Sequence, residues 1–147
     1  MTSLMLGFAL LTGCAGVGPL QTPSGNPEVT INSSNKSRIK EQLISRFAAN
    51  GFAIKQDTQY MLMVSKPLEG GDGMVYQLAL GNAYSSAPEM NVSVTLAPVG
   101  KTTRVYGRIA VGMQGAFGQS QGTDLTRGKA GRELQVMLEQ VKAGAER

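Results

Sequence analysis

Histidine and tryptophan are absent from this 147-residue chain, and Cys14 is its only cysteine. Without an imidazole, neither a Ser-His nor a Cys-His nucleophilic pair can be assembled, and a typical catalytic zinc site loses its usual ligands. With one cysteine there is no intrachain disulfide, a composition that suits an oxidising compartment without requiring it. Charge is also sparse: the net value of +4 is spread through both halves, so the sequence pI of about 9.4 reflects a small excess of Lys and Arg. Such a balance does not argue for a nucleic-acid partner. Residues 4–11 form an apolar run, but it falls well short of the about 20 residues that a transmembrane helix needs.

That run has the length of a signal-peptide apolar region, about 7 to 15 residues, and it ends in Leu11-Thr12-Gly13-Cys14. This tetrad resembles the lipobox of bacterial lipoproteins, in which an aliphatic residue and two small ones precede the cysteine to be lipidated. The resemblance implies residues 1–13 as a cleaved signal peptide. It also implies Cys14 as the first mature residue, carrying a diacylglyceryl thioether and an N-acyl chain as its only modification, with no cofactor. No Lys or Arg precedes the run, so a start codon upstream of Met1 is expected. Where an Asp after the lipidated cysteine retains such proteins at the inner membrane, Ala15 permits onward transport. The implied location is therefore the periplasmic face of the outer membrane. Residues 15–27 hold three prolines, three glycines and no charge, a composition that reads as a flexible tether over 14–27. Residues 28–147 then form a single domain with room for a core.

Within that domain, Val29 and Ile31 at period two predict a short strand. The Asn32-Ser33-Ser34-Asn35 run offers caps for a helix starting at Lys36. Ile39, Leu43 and Phe47, with Ile44 and Ala48 beside them, form its apolar stripe, and Asn50-Gly51 stops it. Residues 52–55 and 59–66 read as one bent strand or two short ones, with Tyr60, Leu62 and Val64 on one face and Met61 and Met63 on the other. A strand is expected at 74–80. Met90, Val92, Val94 and Leu96, then Val105, Ile109 and Val111, alternate on either side of Pro98-Val99-Gly100-Lys101, which predicts a hairpin with one dry and one wet face. Residues 112–122, rich in Gly and Gln, read as a loop. Asp124 is expected to open a final helix, firm from about Gly131, with Leu134, Met137, Leu138 and Val141 at helical spacing.

The expected fold is α+β: an antiparallel sheet of four or five strands with two helices packed on one face, in the order β-α-β-β-β-β-α. Each helix has one apolar stripe and each late strand one apolar face, so stacking both helices on one side buries all of them. This order is similar, as pattern only, to the helix-grip domains of outer-membrane assembly lipoproteins and to the lipopolysaccharide-assembly lipoprotein. It implies a fold and constrains function weakly.

Gly100-Lys101-Thr102 lacks the earlier glycine of a phosphate loop, Thr95 standing in its place, and lies between strands, so a turn accounts for it. Glu69, Asp72, Glu89 and Asp124 sit in or beside loops and could support carboxylate hydrolysis, but loop carboxylates are ordinarily just solvated. The Glu69-Gly70-Gly71-Asp72-Gly73 segment falls short of a calcium loop. Lys36, Arg38, Lys40 and Arg46 make the first helix basic, a candidate contact for anionic lipid, against the alternative of a solvated face. Phe117, inside the Gly-rich segment, and Met61 and Met63, with Met74 and Met90, are candidate partner contacts, against the alternative of core packing.

The function expected is that of a lipid-anchored, non-enzymatic binding or scaffold component of the cell envelope, held to the membrane by its lipid and contacting an envelope protein through the open sheet face or a strand edge. The alternative is binding of an amphiphile, lipid or lipopolysaccharide, between helices and sheet. A Cys14→Ser chain is expected to lose all incorporation of an alkyne-labelled fatty acid and to accumulate as the unprocessed precursor; retention of label would remove the anchor.

Overall fold

The computed structural model describes residues 19–70, 87–114 and 120–147. Cys14, Phe117, Met74, Asp72 and the strand expected at 74–80 lie outside them. In chain order the elements are β1 (Glu28–Ile31), α1 (Lys36–Ala49), β2 (Ala53–Asp57), β3 (Met61–Pro67), β4 (Glu89–Val99), β5 (Thr102–Gln114), β6 (Ser120–Asp124) and α2 (Lys129–Ala145). All strand pairs are antiparallel, in the order β1-β5-β4-β3-β2, with β6 also on β5. The protein is thus α+β, with two helices on one face of a sheet that has six strands among the described residues.

The hairpin β4-β5 pairs without interruption from Val99–Thr102 to Glu89–Gly112, around a tight turn whose Gly100 has φ +60°. On its other side β5 is shared. β1 pairs only Thr103 to Tyr106, and β6 takes Ala110 to Gln114. This corrects the expected loop at 112–122. Gly and Gln are poor strand formers, but the distal half of β5 presents backbone donors and acceptors that must be paired, and the returning chain pairs them.

The dry face follows the predicted alternation. Leu62 and Val64, Val92, Val94 and Leu96, Val105 and Ile109, with Val29 and Ile31, meet Ile39, Leu43 and Phe47 of α1 and Leu134, Leu138 and Val141 of α2 in one core. Helix α1 begins where Asn35 accepts from the Arg38 amide at 3.0 Å and ends at Asn50, followed by Gly51 at φ +81°. Ala48, expected beside the stripe, is exposed.

Asp124 does not open the last helix. It ends β6, and its Oδ1 accepts from the Thr126 amide at 2.8 Å, forming a side-chain turn that re-aims the chain. Thr126 is buried; its hydroxyl accepts from the Ile109 amide at 3.1 Å and donates to the Ile109 carbonyl at 3.2 Å. These bonds extend the β5-β6 pairing by one side chain, and α2 starts at Lys129. The end of the segment read as tether touches the domain: Arg127 Nε donates to Asn26 Oδ1 at 3.2 Å, and the Gly107 amide donates to the Pro27 carbonyl at 2.8 Å.

Two glycines mark close approaches. A Cβ on Gly107 would lie 2.3 Å from Leu134 Cδ2, and one on Gly131 would lie 1.7 Å from the Thr126 carbonyl oxygen. Helix propensity alone predicts that Gly131→Ala stabilises by about 1 kcal/mol. Because the clash is with backbone, overpacking of about 1–3 kcal/mol should prevail. Gly131→Ala is therefore expected to lower stability in urea titration, and a gain would show that α2 does not rest on Thr126.

Candidate docking face

The face of the sheet turned away from the helices has no helix over it among the described residues. Its side chains run in rows across the strands, because antiparallel register places same-face residues opposite one another. One row is Met61, Thr95, Tyr106 and Glu28; the next is Met63, Ser93 and Arg108; the third is Ser65, Asn91, Ala110 and Asp124. Along β4 the outward residues are short: Asn91, Ser93, Thr95 and Ala97. On β3 they are flanked by Met61 and Met63, and on β5 by Arg104, Tyr106 and Arg108. The result is a shallow trough along β4 with a thioether wall and a cationic, aromatic wall. It holds an open cleft of about 280 Å³ lined by Met63, Asn91, Ser93, Arg108 and Ala110.

Met61 and Met63 are half-buried on this face and are not core residues, whereas Met90 turns inward and packs against the core. Methionine on an open face adapts to an irregular partner. Tyr106 is held by Arg104, whose guanidinium lies 5.3 Å from the ring centroid.

Glu28 anchors the far wall. Its Oε1 accepts from Arg104 Nη2 at 2.8 Å and its Oε2 from the Ser24 amide at 3.1 Å. Burial pushes its pKa up, but the hydrogen bonds from Ser24 and Arg104 and the Arg104 charge outweigh burial and hold the carboxyl below its ordinary value. Asp124 is likewise held low, by hydrogen bonding from Thr126, whose amide donates to it. Glu89 lies 3.6 Å from Lys55, and Glu69 is exposed. Of the described candidates, Asp124 serves a turn and Glu89 an ion pair, and Glu69 is turned to solvent.

The strand edges differ. Gln135 of α2 accepts from the Glu28 amide at 2.8 Å and donates to its carbonyl at 3.1 Å, and Glu146 accepts from the Asn32 amide at 2.7 Å. These side chains occupy groups that an incoming strand would need. The β2 edge is exposed throughout, but it carries a register break between Ile54 and Gln56 and the charges of Lys55 and Asp57, devices that oppose strand addition. Among the described residues the sheet face carries no such devices, although Ser65 at one end of its third row is buried.

The basic residues of α1 do not gather into one patch. Lys36 lies 4.3 Å from the Tyr60 ring centroid, Lys40 pairs with Asp57 at 2.6 Å, and Arg46 donates to Gln140 Oε1 at 2.8 Å, while Arg38 is exposed. The four positions spread around the helix at 100° per residue, so a flat anionic surface cannot meet them together. The chain matches no known family model and no curated protein sequence.

The Glu28 carboxylate gives a test of the wall. Its folded pKa is lowered, so its contribution is present above the ordinary carboxylate pKa of about 4.3 and is lost as pH falls through the lower folded value. Glu28→Gln should be less stable than the parent at neutral pH, and the gap in denaturation midpoint should close on acidification below the carboxylate range. A gap independent of pH would assign the loss to packing.

Proposed function

We propose that this chain is a lipid-anchored, non-enzymatic docking protein of the bacterial cell envelope, held at the periplasmic face of the outer membrane through Cys14, and that it contacts an envelope protein through the trough along β4. The observation that carries the docking reading is the one-sided coverage of the sheet. Among the described residues both helices pack on one face, and the other presents Met61 and Met63 opposite Arg104, Tyr106 and Arg108 across a floor of short side chains. Apolar and aromatic side chains beside arginine, over a flat floor, are the composition of interface anchors. The complementary partner surface has apolar side chains for the methionine wall and acidic ones for Arg108.

The anchor and the docking face make separate contributions. Multiple acyl chains give firm membrane attachment, and tethering raises the effective concentration of a weak contact with a neighbour in the same membrane. The carboxylates whose hydrogen bonds serve turns, and the lack of histidine, support contact over catalysis.

A photo-crosslinking residue placed at Ser93 in the full-length protein should give a discrete adduct with an envelope protein in intact cells. The same residue at Ser45, exposed on α1, should not. Changing Met61 and Met63 together to Lys should abolish the Ser93 adduct while leaving lipidation intact. Equal adducts from both positions, or adducts with lipid alone, would remove the trough as the docking surface.

A further inference from the structure

The two helices are unequal, and that leaves a cavity. They run antiparallel and approach closely near the end of α2, where a Cβ on Gly144 would lie 2.7 Å from Gln42 Oε1. One turn along, Arg46 bridges to Gln140 through Oε1 at 2.8 Å and the backbone carbonyl at 3.4 Å. Helix α1 then ends at Ala49, so among the described residues the first turns of α2 extend over the sheet with no helix beside them. Beneath lies a cavity of about 560 Å³, walled by Phe47, Phe52, Met90, Ile109, Leu134 and Met137. That volume falls within the roughly 300–1,000 Å³ of small-ligand sites.

The rim is cationic. Arg46 and Lys66 both line the mouth, and among the described residues neither pairs with a carboxylate. Lys66 Nζ donates to the Asn50 carbonyl at 3.0 Å. Arg46 Nε is shielded from solvent and has no acceptor among the described residues. Glu133, also on the rim, faces Lys129 at 3.9 Å.

From the apolar walls and the two cations, which have no acidic partner among the described residues, we infer that the cavity takes a single-chain anionic amphiphile of the fatty-acid class. The acyl chain lies under α2 and the carboxylate is received by Arg46 and Lys66. The size suits one acyl chain, and an acid head supplies the negative charge that Arg46 and Lys66 lack among the described residues. The cavity lies on the helix side of the sheet, opposite the docking trough, so the inference stands independently of the partner.

The test is saturable fluorescence binding of dansyl-undecanoic acid and of its methyl ester to the full-length protein. The acid should bind more tightly than the ester. Arg46→Gln combined with Lys66→Gln should weaken the acid by about tenfold or more, the loss expected for charged hydrogen bonds, and leave the ester unchanged. Lys66→Gln alone should shift the acid in the same direction, which guards against an effect of the lost Arg46–Gln140 contact on the helices. Ala130→Trp, which fills the cavity from α2, should abolish binding of both probes while Ser93 crosslinking persists. Failure of either probe to saturate, equal affinity for acid and ester, or survival of binding in Ala130→Trp would overturn the inference.

Discussion

Pairing of the backbone groups of β5 is the constraint on which the remaining architecture depends. A strand thirteen residues long exposes two edges of donors and acceptors, and buried backbone groups are costly to leave unmade. One edge is filled by β4 over its whole length. The other is divided between β1 and β6, strands from opposite ends of the chain, which brings residues 22–31 and 120–126 beside each other. Thr126 continues that edge with its side chain, and α2 is launched from the turn that follows. The position of α2, and with it the core, is therefore set by how β5 is completed.

Placement of α2 has two consequences. Gln135 and Glu146 reach down to the outer backbone of β1 and its exit, which closes that edge to other strands. The same placement carries α2 past the end of α1, and the overhang creates a cavity that no alternation pattern encodes. The two sides of the sheet thus acquire different characters. One is a packed core opening into an apolar cleft with a cationic rim, and the other is a flat face with methionine and arginine walls.

Much of the fold was legible from local pattern. The stripe Ile39, Leu43 and Phe47, the Asn35 cap, the Gly51 stop and the alternation through Met90 to Val111 each follow from side-chain periodicity and backbone preference. The misreadings share a cause. Residues 120–124 have no strand propensity of their own and become a strand because β5 needs a partner. Asp124 looks like a helix cap because Asp is a good one, but its carboxylate is taken by the Thr126 amide within a turn. Residues 22–27 have the composition of a tether and are nonetheless pinned, through Pro27 and Ser24, to β5 and Glu28. The candidate site divides in the same way: the outward position of Met61 and Met63 could be read from period two, whereas the facing wall of Arg104, Tyr106 and Arg108 depends on register across β4.

By itself the sequence determined what is local: the helix faces, the hairpin, the absence of histidine-dependent chemistry, and the lipobox-like tetrad ending at Cys14, each written in neighbouring residues. Only the tertiary structure decided which surface stays open, which strand edges are closed, that Arg46 leaves the basic set of α1 to meet Gln140, and that a cavity exists beneath α2. These depend on residues far apart in the chain, brought together by backbone pairing along β5 and by the difference in length between two helices. Neither leaves a period or a motif in the sequence, because both are relations between elements and belong to no single one.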